Sequence, residues 1–250
     1  VEHPLRTFVE LTAPEVADLS PDGVAVLPIG AIDQHGPHLP LITDLLVAES
    51  LARDATDAWG DAHDLWLLPS LACTKSNERA WAPGTLWLSA TTMMAVVDDL
   101  GRSVAKTPLG KLVFLNGHAG NSALLEVCAR ELRLNYGLAT FVMDPCVPAP
   151  ADGGLVHGGR DETAVMLHLR PDLVDLTRVR RNVPDQPATY KRIKLGETVQ
   201  LGWLSDGFAT DADPTLASAE HGKVIYEGML ATAGEALGEI ASFSPRPLPS

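Results

Sequence analysis

Two acids and two imidazoles crowd one short stretch of the chain. Asp33, His35 and Asp44 lie in Gly30-Ala31-Ile32-Asp33-Gln34-His35-Gly36-Pro37-His38-Leu39-Pro40-Leu41-Ile42-Thr43-Asp44. Asp33 and His35 are two positions apart, so on an extended segment both project to the same side. Carboxylate oxygens beside imidazole nitrogens suit zinc, manganese or iron better than magnesium or calcium. The same residues have a plainer use: Thr43 or Asp44 can cap a helix, and His and Asp fill turns. Metal binding gains weight only if other segments bring further ligands.

Two segments do. Asn116-Gly117-His118-Ala119-Gly120-Asn121 offers His118, and His157-Gly158-Gly159-Arg160-Asp161-Glu162-Thr163 offers His157 and Glu162. A lone histidine is more often a cap or a packed ring, and the helix macrodipole favours an acid in a first turn whatever its function. Taken together, though, Asp33, His35, Asp44, His118, His157 and Glu162 supply a two-metal site with one bridging carboxylate and one residue left free. Two cations about 3.5–4 Å apart can hold a hydroxide between them and polarise a carbonyl oxygen. The free imidazole can then carry a proton to a departing nitrogen. That is equipment for hydrolysing an amide.

The elements that must position these residues follow from hydrophobic periodicity. Residues 7–19 read as an amphipathic lead-in with a helix start near Pro14. Strands are expected at 24–29, 65–69, 111–115 and 138–143, with Pro69 at the end of its strand. Helices are expected at 45–59, stopped by Gly60-Asp61, at 91–106 behind Thr91, and at 121–136 before Gly137. Beyond residue 144 the pattern loosens into a short helix at 161–169, a polar stretch at 172–212 and a long helix at 215–240. Alternating strands and helices predict an α/β fold, a mainly parallel sheet with helices on both faces. All of residues 1–250 then form a single domain, its last hundred or so residues wrapped onto the sheet. Asp33 and His118 both follow the C-terminal ends of strands, where such folds place their chemistry.

Bulk properties narrow the partners. With 250 residues and a net charge of −13, nucleic acid and anionic membranes are poor partners. No apolar run approaches a membrane span. Residues 1–6 lack a signal-peptide layout, and Cys73, Cys128 and Cys146 are scattered and odd in number. A reducing, cytoplasmic location is the expectation.

The three motifs in this order resemble the creatininase family of metal-dependent amidohydrolases. Pro83-Gly84-Thr85 before Leu86-Trp87-Leu88, and Asp213-Pro214-Thr215 followed by Glu220 and Gly222, resemble further family segments. The resemblance implies a creatininase-like three-layer α/β/α sandwich, a dinuclear site of two divalent ions (zinc first, with manganese or iron in some members) and a homohexamer. Carried over by position, it implies that Asp33, Asp44 and His118 hold one metal and that His35, Asp44 and Glu162 hold the other, with Asp44 bridging. His157 matches the catalytic histidine, and Glu162 matches the glutamate of the third motif, which makes both candidate catalytic residues.

The departures bear on substrate. Asp33 stands where the family usually carries Glu, one methylene longer. Gly120 stands where creatininase proper has a carboxylate, and Glu162 is expected to replace it. Ser76-Asn77-Glu78-Arg79 stands where the family has Ser-x-Glu-His. Arg79 either brings positive charge to the pocket and favours a carboxylate-bearing substrate or is a surface arginine paired with an acid. Creatinine itself is a poor expectation, because the family's shielding aromatics find no clear match. Trp203 and Phe208 in 196–212 are candidates for a pocket wall. The expected reaction is cleavage of a non-peptide C–N bond in a small, possibly cyclic, amide. Peptide trimming, formamide or ring-ketone hydrolysis, and a non-catalytic metal-stabilised binding protein remain as alternatives.

Overall fold

The computed structural model describes residues 6–145, 157–181 and 213–244. Val24-Ala25-Val26-Leu27-Pro28-Ile29 carries no charge, and all six residues are buried. A strand with no polar face has to be covered on both sides, as in a parallel sheet between helices. The strands β1 (Val24–Ile29), β2 (Leu65–Leu67), β3 (Lys111–Asn116) and β4 (Ala139–Met143) pair in the order β2-β1-β3-β4, and every pairing is parallel. Pro28 costs the sheet no bond. The short β2 has ended where it lies, and its carbonyl accepts from Leu71 N–H at 2.9 Å.

The helices are α1 (Ala13–Ala17), α2 (Thr43–His63), α3 (Ala90–Val104), α4 (Ser122–Tyr136), α5 (Arg160–Leu169) and α6 (Ala219–Ser242). Successive strand residues point to opposite faces, and two cores result. Val24, Val26, Val113 and Leu115 face α2, α5 and α6, whereas Ala25, Leu27, Leu112 and Phe114 face α3 and α4. This is the expected three-layer α/β/α sandwich. From β1 the chain steps outward to β2, then crosses back to lay β3 on the other side of β1. Connections therefore leave β1 and β3 in opposite directions, and a crevice opens beyond their C-terminal ends.

Several boundaries differ from expectation for identifiable reasons. α2 runs through Gly60 to His63 and stops at Asp64, which adopts a left-handed φ of 49°. An interior glycine costs a helix only about 1 kcal/mol, and Trp59 packs against the core on α2, α5 and α6. Neither Thr43 nor Asp44 caps α2. The preceding Ile42 makes no side-chain cap, Thr43 Oγ1 donates to the Pro40 carbonyl at 2.7 Å, and Asp44 lies inside the first turn. Ser89 rather than Thr91 caps α3, accepting from Thr92 N–H at 3.2 Å. Asp213 and Ser218 divide the C-terminal segment, capping first a 3-10 turn (Pro214–Leu216) and then α6. Gly137 closes α4 in the left-handed conformation, as expected. Trp203, Phe208 and Cys146 lie outside the described residues. Cys73 and Cys128 are free thiols. Among the described residues no helix is long and apolar enough to cross a membrane.

Candidate metal centre

The crevice beyond β1 and β3 gathers the chemistry. The loop after β1 bears Asp33 and His35, the first turn of α2 bears Asp44, and the turn after β3 bears His118. Gly117 makes this convergence possible, because a Cβ there would lie 2.4 Å from the Asp44 carbonyl. The turn leading into α5 brings His157 and Glu162 from the far end of the chain. His38 Nε2 lies 2.9 Å from Thr163 Oγ1 and ties the first loop to that helix.

Asp44 is the hinge of the arrangement. Its Oδ1 lies 2.9 Å from His35 Nε2 and its Oδ2 lies 2.7 Å from His118 Nδ1. One carboxylate therefore faces two imidazoles, one from each loop. Asp33 Oδ1 is 3.2 Å from His35 Nδ1, and Glu162 Oε1 is 3.6 Å from His35 Nε2. The His157 ring sits 4.2 Å from the His35 ring, centroid to centroid. All six residues singled out from the sequence thus meet in one place.

Each imidazole is oriented by a second bond. His35 Nδ1 lies 3.0 Å from the Asp33 main-chain carbonyl, an obligate acceptor, so Nδ1 carries a hydrogen and Nε2, turned to Asp44, is the nitrogen that a cation would take in place of a proton. His118 Nε2 lies 3.1 Å from Glu78 Oε1, which turns Nδ1 toward Asp44 as the nitrogen that a cation would take in place of a proton. Carboxylate–histidine pairs of this kind hold metal-binding histidines in place. His157 Nε2 is 3.2 Å from Gln34 Oε1, an oxygen that already accepts from Gly36 N–H. His157 must therefore donate there, and Nδ1 is its basic nitrogen.

Glu78 is the residue that sequence reasoning missed, although it stands in the quoted Ser76-Asn77-Glu78-Arg79. Gly120 explains its position: a Cβ there would lie 2.4 Å from Glu78 Oε1 and 2.5 Å from His118 Nε2. The carboxylate expected from Glu162 beside this glycine comes instead from Glu78. Glu162 is held on the His35 side, with its other oxygen accepting from Gly158 N–H. Lys75 Nζ, at 2.8 Å, secures the second oxygen of Glu78. Ser76 also contributes, donating to Asp33 Oδ2 at 2.5 Å. The surface alternative for Arg79 is wrong: only 5% of the residue is exposed.

The crowding sets the protonation pattern. Burial opposes charge on His118, but Asp44 and Glu78 outweigh it and raise the imidazole to about 10. Burial likewise opposes charge on His35, and Asp44, Glu162 and Asp33 lift it well above its ordinary value. Burial would raise Glu78, but hydrogen bonds from His118 and Lys75 bring it down to about 2. His157 behaves oppositely. Burial, His35 and Arg79 push it well below the ordinary histidine value, so its ring is neutral.

These donors fit a cation. Asp33 Oδ1 and Asp44 Oδ2 are buried oxygens that accept no aligned hydrogen bond, although each has an imidazole nitrogen beside it. An unsatisfied buried acceptor costs about 1–3 kcal/mol, a cost that a shared cation would remove. Among the described residues, two overlapping triads have ligand atoms within 4.8 Å of one another: Asp33, His35 and Asp44, and His35, His157 and Glu162.

Residues 9–237 match the model of the creatininase family, described as creatinine amidohydrolase. The chain belongs to the creatininase family. It is 32% identical to the mycofactocin precursor peptide peptidase of Mycolicibacterium smegmatis, over 83% of this chain and 81% of the relative. It is also 32% identical to the creatinine amidohydrolase of Pseudomonas putida, over 87% of this chain and 90% of the relative. A solved creatininase superposes with a TM-score of 0.77 at 28% identity, covering 96% of this chain and 99% of that one. Two more, a mutant of the Zn-Zn type and a creatininase named as the Mn form, each give a TM-score of 0.75 at 27% and 28% identity, covering 95% of this chain and 99% of theirs. This creatininase-family protein thus shares its fold with enzymes solved in zinc and manganese forms.

Proposed function

We propose that the protein is a metal-dependent hydrolase that cleaves an amide C–N bond at a centre of two divalent ions, zinc being the first candidate. The observation that carries this reading is Asp44, whose two oxygens face His35 Nε2 and His118 Nδ1, one imidazole from each loop. In this reading Asp33, Asp44 and His118 hold one ion, and His35, Asp44 and Glu162 hold the other. The ions, when bound, supply Lewis acidity toward an amide carbonyl and toward water.

The chain's own residues do the rest. The Asp33 carbonyl and the Glu78 carboxylate keep His35 and His118 in the tautomers that bind. Ser76 anchors one oxygen of Asp33 and leaves the other for the centre. His157, neutral and fixed by Gln34, has Nδ1 available to take a proton and deliver it to the departing nitrogen.

For the substrate, the leading reading is a small amide. A second reading, the trimming of a short peptide, is supported by the peptidase name of the mycobacterial relatives. His157→Ala is the direct test. Elemental analysis should still find about two equivalents of metal, while kcat on any amide turned over by the wild type falls by about 10²–10⁴-fold. Loss of metal together with activity would make His157 a ligand and overturn its assigned role.

A further inference from the structure

Only 5% of Arg79 is exposed, yet its Nε has no hydrogen-bond partner among the described residues. Among the described residues no carboxylate forms an ion pair with its guanidinium. The acids of the site are committed elsewhere: Asp33 to Ser76 and His35, Glu78 to His118 and Lys75, and Glu162 to Gly158 and His35. A buried arginine without a counter-charge is costly, because its desolvation is not repaid. The main chain fixes its location, with Arg79 N–H donating to the Ser76 carbonyl at 3.0 Å and the Arg79 carbonyl accepting from Ala82 N–H at 2.9 Å. The two preceding contacts of this 3-10 turn (Asn77–Arg79), through Ser76 and Glu78, hold Asp33 and His118.

We infer that Arg79 is a specificity residue that binds a carboxylate of the substrate, so that the hydrolysed amide is one bearing a free carboxylate near the scissile bond. This deepens the amide-hydrolase reading and rests on it. A carboxylate fits better than a phosphate. One planar fork with its Nε unpaired matches two coplanar oxygens, and the acids of the site would repel a dianion. A peptide with a free C-terminus and a lactam carrying a carboxylic acid both meet the requirement.

The test uses the zinc- or manganese-loaded full chain and matched substrate pairs: short peptides with free or amidated C-termini, and lactams with a ring carboxylate or its carboxamide. The wild type should prefer the acid by about 10²-fold or more in kcat/KM. Arg79→Gln should bring that preference to within a few-fold of unity, mainly through KM on the acid; the acid-to-carboxamide ratio is the readout, because any change in His157 basicity acts on both substrates alike. Arg79→Lys keeps the charge but loses the fork, and should retain only part of the preference. A wild type indifferent to the carboxylate overturns the proposal without any variant, even if Arg79→Gln does not fold. Equal losses on acid and carboxamide overturn it as well. If no amide is turned over, the hydrolase reading fails separately, and calorimetry on the same pairs decides Arg79: tighter acid binding abolished by Arg79→Gln supports it, and equal binding sinks it.

Discussion

His35 and His118 face the same carboxylate from opposite sides, but they are held there by different means. His35 is oriented by the main-chain carbonyl of Asp33, two residues away. His118 is oriented by the Glu78 side chain, forty residues away, on a loop that belongs to neither strand of the crevice. The first half of the site is thus built within one loop. The second needs a third segment to dock, a lysine to steady the docked acid and a glycine at position 120 to make room for it. A local device cannot be removed by a single side-chain deletion, whereas a docked one can.

Breaking the shared element should have the largest effect. Asp44→Ala removes the partner of both imidazoles. Metal content should fall from about two equivalents to one or none, with activity down by more than about 10³-fold. Retention of two equivalents would show that Asp44 does not bridge.

Breaking only the docked half should cost less. Glu78→Gln keeps an oxygen for His118 Nε2–H but loses the charge and the pairing with Lys75. Metal affinity or activity should drop by about 10–100-fold, read by chelator competition. Only one of the two equivalents should weaken, the one nearer His118. Equal weakening of both would erase the distinction between the halves.

The smallest effect is on the pH dependence of the chelator-treated protein. His118 is raised from 6.5 to about 10. Its bonds to Asp44 and Glu78 therefore add stability that is fully present below pH 6.5 and lost as pH climbs through about 10. Glu78, lowered from 4.5 to about 2, adds stability present above pH 4.5 and lost as pH falls through about 2. Thermal melts should show a decline from pH 6.5 to 10 that Glu78→Gln flattens. Metal binding must displace the His118 proton, so metal affinity should rise across the same window. An unchanged melting profile would place the proton elsewhere.

The same division between local and docked features marks what could be read in advance. The buried strands were legible because parallel strands between two helix layers lack a polar face, as Val24–Ile29 does. Asp33, His35, His118, His157 and Glu162 were legible because each sits beside glycines at an expected strand end or helix start. Helix ends were read less well. Ser89 outcompeted Thr91 as a cap, Ser218 starts the last helix at Ala219 and not at 215, and Trp59 packing carried α2 past Gly60. Glu78 and Arg79 lie in a loop without periodicity, and nothing local separates an acid that steadies a ligand, or a buried arginine, from ordinary surface charge.

The chain's own order of residues was enough to determine the layered architecture, the family and six of the residues that meet at the candidate centre, because periodicity and short motifs are local properties. Only the tertiary structure decided how His118 is oriented, which acid fills the space at Gly120, and that Arg79 is buried with no ion pair among the described residues. Those facts depend on segments far apart in sequence meeting within 3 to 4 Å, and no short-range pattern records such meetings.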